Sequence, residues 1–289
     1  MDIDVHVVNA FTDQGVGGNP AGVVVDADGL TTQDKLRVAA QVGLSETAFV
    51  SASNSAAFKL DFFTPTRQIA HCGHATIATF SYLRQVKRIE EGATSKETID
   101  GNRDIFIDGN MAFMEQLSPT YVDVEDRMEI IFRSLGMTEN DLMANRRPLI
   151  VNTGNGFLVV PFKNEEAVLQ VNPDFEAIHK ISEAYDLIGY YLFSETTRVS
   201  GRDAGARMFA PRYGIPEESA TGMAAGPLAC FLHDRLQLNK TELLIEQGHL
   251  MNPVSPSVIT VKLDVDNRKI RTLMAGGAAK VTQSRTVRV

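Results

Sequence analysis

Apolar residues crowd one stretch of this chain on every side. Positions 73–83 read Gly-His-Ala-Thr-Ile-Ala-Thr-Phe-Ser-Tyr-Leu, so Ala75, Ile77, Ala78, Phe80 and Leu83 fall all round a helix with small Thr and Ser between them. A helix that is apolar all round is a buried one. Ahead of it, a β-rich run over 58–63 stops at Pro65 and gives way to a polar turn. The pattern recurs about half a chain later: Phe209-Ala-Pro211 mirrors Phe63-Thr-Pro65, and a second apolar helix follows over 223–232. Repeats of this kind decide architecture before any single element does. They predict two halves, each wrapped around a buried helix.

The remaining pattern fits that frame. Residues 5–11 and 23–25 read as strands, separated by the turn Gly15-Val-Gly-Gly-Asn-Pro-Ala-Gly22. That turn is no dinucleotide site, because Pro20 occupies the sixth position and a strand, not a helix, comes next. Thr31 or Thr32 caps a helix carrying Leu36, Val38, Ala39 and Val42, and Gly43 ends it. A short polar turn through Glu46 enters a strand to Val50, the charged segment 85–96 reads as an exposed helix end and loop, and 105–117 reads as strand. After a linker at Ser118-Pro119, helices are predicted over 126–135, 164–169 and 175–185, and strands over 149–151, 157–161, 188–193, 207–209, 242–247, 258–265 and 271–289. Gly226-Pro227 inside the second apolar helix predicts a distortion there. The alternation is α+β, without the regular βαβ of a doubly wound sheet.

Composition narrows the partners. With 289 residues the chain fits two domains of roughly 120–150 residues. The expected division is 1–118 and 119–276, with the strand at about 277–289 returning to the first domain. A net charge of −8 without a basic run argues against nucleic acid and anionic membrane as partners. Cys72 and Cys230 are the two cysteines, too few for a disulfide framework, and the N-terminus lacks a signal-peptide pattern. A cytoplasmic protein is expected.

Chemistry concentrates at the start of the first apolar helix. His71, Cys72 and His74 sit where unbonded backbone N–H groups and the helix dipole favour an anion. Glu46 lies in a turn just before an apolar run, where partial burial would raise its pKa toward that of a working base. A helix N-terminus also lowers the pKa of a thiol such as that of Cys72. No second ligand cluster with zinc-like spacing accompanies the histidines, so no metal is expected.

Six motifs, in order, closely resemble the PhzF-like (phenazine biosynthesis) family, which shares the diaminopimelate epimerase-like fold. They are Gly18-Asn-Pro-Ala-Gly22, Leu44-Ser-Glu-Thr-Ala-Phe49, Phe63-Thr-Pro65, Cys72-Gly-His-Ala-Thr76, Arg207-Met-Phe-Ala-Pro211, and Glu217-Glu-Ser-Ala-Thr-Gly222 with Ala224-Ala-Gly-Pro-Leu228. The resemblance implies two pseudo-repeated domains, each a mostly antiparallel β-barrel-like sheet around a central apolar helix. It also implies an active site between the domains, a homodimer, and no cofactor or metal.

The resemblance further implies an isomerase moving a proton on a small anionic, carboxylate-bearing substrate. Glu46 would be the general acid/base, His74 and Glu218 would orient the substrate, and Gly73 and Gly222 would open two helix N-termini that hold its carboxylate. Two positions depart from the family. Glu218 stands where the family has aspartate, lengthening that carboxylate, and Met223 replaces a serine, removing a hydrogen-bonding group. In diaminopimelate epimerase two cysteines act on opposite faces of a carbon; Cys72 matches the first, but the second would fall on Met223, which carries no proton. A one-thiol epimerase or racemase using Cys72 stays open, as does a binding or interaction protein that has lost catalysis.

Overall fold

The runs of β-formers become short strands, and the computed structural model, which describes residues 1–289, divides them between two units. Unit 1 comprises Met1–Glu115 with Gly276–Val289, and unit 2 comprises Gln116–Ala275.

The strands of unit 1 are β1 (Asp2–Ala10), β2 (Asn19–Val24), β3 (Thr47–Ser51), β4 (Phe58–Phe63), β5 (Gln68–Ile69), β6 (Gly92–Thr98), β7 (Gly101–Asp108) and β8 (Met111–Leu117). β1 pairs antiparallel with β2 on one side and with the C-terminal strand, Lys269–Arg288, on the other. Parallel β2–β3, antiparallel β3–β4, parallel β4–β6, and antiparallel β6–β7 and β7–β8 continue the sheet. β8 then pairs with the C-terminal strand, closing a barrel of eight strands. Closure removes exposed strand edges. The two-residue β5 adds to β4.

Helix α1 (Thr32–Val42) lies outside the strands. Thr31 and Asp34 form a capping box at its start, and Gly43 ends it with a φ of 70°. Its apolar stripe of Val38, Ala39 and Val42 packs with Val5, Val24, Phe49, Phe63 and Val287. Helix α2 (Gly73–Gln85) is the central one, buried at every residue from Gly73 to Leu83. Its threonines are compatible with burial because their hydroxyls bond within the helix: Thr76 Oγ1 donates to the Cys72 carbonyl at 2.6 Å and Thr79 Oγ1 to the Ala75 carbonyl at 2.7 Å.

Unit 2 holds β9 (Thr120–Asp123), β10 (Leu149–Asn152), β11 (Gly156–Pro161), β12 (Leu187–Ser194), β13 (Ala204–Ala210), β14 (Ile215–Glu218), β15 (Glu242–Gln247), β16 (Ser257–Asp266) and the start of the C-terminal strand, β17. Its sheet repeats the mixed pattern of unit 1, with parallel β11–β12 and β13–β15 among antiparallel neighbours. Asn267 and Arg268, both at positive φ (50° and 63°), turn β16 into β17 as a two-residue hairpin requires. Helices α3 (Met128–Leu135), α4 (Glu165–Leu169) and α5 (Phe175–Ala184) supply Met128, Ile131, Leu135, Val168, Ile178 and Ile181 to one apolar cluster with strand residues such as Leu158 and Leu192. The central helix is α6 (Gly222–Asp234), buried at all but three of its residues.

Two local expectations fail. The segment 85–96 is not exposed loop to its end: β6 begins at Gly92 and turns Lys96 inward, with no exposed surface. The Gly226-Pro227 pair does not interrupt α6, which is helical from Gly222 to Asp234. Pro227 withholds one amide bond, from the Met223 carbonyl. Gly226 is there for closeness, since a Cβ on it would lie 2.1 Å from Gln116 Oε1. No helix is long and apolar enough to cross a membrane.

Candidate active site

Glu46 is fixed by its backbone. It precedes β3, and its carbonyl accepts from the Gly22 amide at 3.0 Å across the β2–β3 seam. A Cβ at Gly22 would lie 2.7 Å from Thr47 Oγ1, so this close pairing requires glycine. Cys72 and His74 are placed by the start of α2, where Cys72 is the extended residue before Gly73. The sequence-expected Glu46, Cys72 and His74 come together and are buried, at 8%, 6% and 5% exposure.

The imidazole of His74 lies between the other two. Its Nε2 is 3.3 Å from Glu46 Oε2, and its Nδ1 is 3.6 Å from Cys72 Sγ. The first contact has ion-pair distance but does not meet hydrogen-bond geometry, and Oε2 is buried without a hydrogen-bond donor. A buried carboxylate oxygen with no donor on it is available to take a proton from another molecule. One ligand atom from each residue falls within 4.8 Å of the others. Glu46 and Cys72, however, address opposite nitrogens of one ring, the order of a proton relay rather than of three ligands converging on a metal.

The thiol behaves differently from the sequence expectation. Burial pushes the Cys72 pKa up; the neighbouring His74 pulls it down and the Glu46 carboxylate pushes it up further. Desolvation outweighs the helix N-terminus, and Cys72 rests as a thiol. Cys230, in the middle of α6, is fully buried and its pKa is likewise raised by burial, in keeping with a core residue.

In unit 2, Glu218, Gly222 and Met223 gather at the turn opening α6. Thr221 Oγ1 donates to Glu218 Oε2. Gln247, at the end of β15, holds the turn with both ends of its amide. Its Nε2 donates to the Glu218 carbonyl at 2.6 Å and to Thr221 Oγ1 at 3.2 Å, while its Oε1 accepts from Tyr191 at 2.9 Å and from the Thr221 amide at 3.1 Å. Gln116, in the gap left by Gly226, donates to the Gly222 carbonyl at 2.9 Å and accepts from Thr153 Oγ1 at 2.7 Å. The Met223 sulfur accepts from Asn155 Nδ2 at 3.6 Å.

Sequence reasoning missed Gln247, Gln116 and, above all, Lys96. The Lys96 ammonium donates to Thr76 Oγ1 at 2.6 Å and to His71 Nδ1 at 3.1 Å, and lies 5.1 Å from the centre of the Phe62 ring. Because Thr76 in turn donates to the Cys72 carbonyl, Lys96 reaches the turn that presents Cys72 and His74. Burial brings the Lys96 pKa down to about 7; Cys72 and Asp100 oppose that shift and Arg103 adds to it. His71 is kept well below the ordinary histidine value by burial, with Lys96 and Arg103 pushing the same way. His71 is therefore a neutral acceptor in the turn, not part of the Glu46 cluster.

Over residues 8–284 the sequence matches the family described as phenazine biosynthesis-like protein. An uncharacterized isomerase of Clostridium acetobutylicum is 30% identical, with 98% of each chain covered. A trans-2,3-dihydro-3-hydroxyanthranilate isomerase of Pseudomonas chlororaphis is 27% identical over 84% of each. Among solved structures, the Bacillus anthracis phenazine biosynthesis protein of the PhzF family superposes over 100% of both chains with a TM-score of 0.89 and 28% identity. The family match spans both central helices and the segments carrying Glu46, His74 and Glu218, so this chain belongs to the phenazine biosynthesis-like family.

Proposed function

We propose that the chain is an isomerase that moves a proton between carbons of a small carboxylate-bearing substrate, using protein side chains alone. Glu46 takes the proton and returns it, His74 and Glu218 orient the substrate, and the backbone N–H groups opening α2 and α6 at Gly73 and Gly222 hold its carboxylate. The observation that carries the reading is the buried Glu46 Oε2, without a hydrogen-bond donor and 3.3 Å from His74 Nε2. Proton transfer at carbon needs a carboxylate in that condition: shielded from water and beside a group that can fix the partner. Names among the relatives agree with the class of reaction.

The test is incorporation of deuterium from heavy water into trans-2,3-dihydro-3-hydroxyanthranilate, the compound named for one relative. Glu46→Gln keeps the shape and removes the base, so exchange should fall by at least about a hundredfold while binding persists. Exchange at the wild-type rate in that variant would refute the assignment.

A second reading is favoured by the Cys72–His74 contact at 3.6 Å: Cys72 shares in proton transfer as an epimerase would use it. Cys72→Ala separates the two, because transfer by Glu46 alone survives the loss of the thiol.

A further inference from the structure

Unit 1 buries two lysines, and they are treated differently. Lys35 meets a carboxylate, with its Nζ 2.6 Å from Asp61 Oδ2. Lys96, with no exposed surface, meets only neutral partners: the Thr76 hydroxyl, an imidazole nitrogen of His71 and the face of Phe62. A buried ammonium without an anion is costly and persists where something uses it.

Holding the turn does not explain it. In unit 2 the turn opening the central helix is held from the strand that follows that helix by Gln247, a neutral amide with all its bonds made. Lys96 lies on the strand after α2 and holds the corresponding turn through Thr76 and the Cys72 carbonyl. An uncharged side chain suffices for the mechanical role, so the charge needs its own account.

We infer that Lys96 is a positioning residue whose ammonium, behind the turn of Cys72 and His74, balances the negative charge of a carboxylate brought in beside Glu46. The inference rests on the proposed reading that the substrate is an anion bound next to Glu46. Without Lys96 the Glu46 carboxylate and the substrate's would stand beside each other uncompensated, and like charges in a low-dielectric place repel strongly. With it, one buried positive charge offsets the arriving negative one. Because Lys96 loses its proton at about pH 7, admission of an anion should weaken as pH rises through neutrality. The other groups facing the ammonium are His71 from the segment before α2, Cys72 at the start of α2, Arg103 on β7 and Asp100 in the turn between β6 and β7.

The test needs no substrate. The same thiolate attacks iodoacetate and iodoacetamide, in each case forming an S–C bond as the C–I bond breaks and iodide leaves, but only iodoacetate carries a carboxylate. Their rate ratio at Cys72, read by mass spectrometry and divided by the ratio for glutathione, cancels the thiolate fraction and reports the local charge. We expect the wild-type ratio to fall about tenfold between pH 6 and pH 8.5, and in Lys96→Met to be about tenfold lower at pH 6 and nearly flat. A wild-type ratio that does not fall over that range, equal ratios in the two proteins, or a Cys72 that neither reagent modifies would each overturn the inference. If Lys96→Met does not fold, the wild-type profile decides alone. Failure of the Glu46→Gln exchange experiment would leave this ratio untouched, so the two ideas fail separately.

Discussion

Replacing Lys96 by methionine should make the protein more stable, and by an amount that depends on pH. The group ionises at about 7 in the folded chain and near 10.4 when unfolded. The folded state therefore binds fewer protons than the unfolded state between those values, and wild-type stability rises with pH across that window. Below about pH 7 both states carry the charge, and the full cost of burying it applies. At 1.36 kcal/mol per unit that cost is about 5 kcal/mol. Methionine has similar bulk and no charge, so it removes the cost but leaves His71 Nδ1 without its donor and Thr76 Oγ1 without one, a loss of about 1–3 kcal/mol. The net expectation is a gain of about 2–4 kcal/mol at pH 6, shrinking to zero or reversing near pH 10. Urea unfolding of both proteins at pH 6, 8 and 10 measures it, and other titrating groups largely cancel in the difference. A variant less stable than wild type at pH 6, or a difference constant from pH 6 to 10, would refute the reasoning. A gain in stability combined with a loss of preference for the anionic reagent is the signature of a residue kept for function.

Asp61→Asn should have the opposite character, costing about 3–5 kcal/mol because it strands the buried Lys35 charge, and adding Lys35→Met should recover most of it; denaturant midpoints of the single and double variants check this. Gly226→Ala places a Cβ 2.1 Å from Gln116 Oε1 and should cost at least about 1–3 kcal/mol, seen as a lower melting temperature, whereas an unchanged melting temperature would show that Gln116 does not fill that gap. Gln247→Leu removes three hydrogen bonds at the Glu218–Thr221 turn and one to Tyr191; it should destabilise by about 2–4 kcal/mol in thermal unfolding.

The chain shows its apolar skeleton openly and its polar supports hardly at all. Both central helices were legible because Ala75, Ile77, Ala78, Phe80 and Leu83, and their counterparts from Ala224 to Leu232, leave no polar face that could meet water. Helix α1 was legible from Thr31 and Gly43, whose cap roles are local chemistry. Glu46 and His74 were found through motif resemblance, and the structure adds their meeting. Strand β6 was invisible for the reason that makes it interesting. Its buried inward positions are Lys96 and Thr98, so it lacks the apolar alternation that marks a half-buried strand, and the charges before it read as a solvated loop. A lysine buried against Thr76, His71 and Phe62 depends on partners from α2, the turn before it and β4, and no window of sequence brings these together. The thiol makes the same point in reverse. The helix start at Cys72 is local and pointed to a lowered pKa, whereas the burial that raises it is a property of the closed barrel. In this fold, position along the chain determines which groups reach the site, and burial by distant strands determines the protonation state in which they wait there.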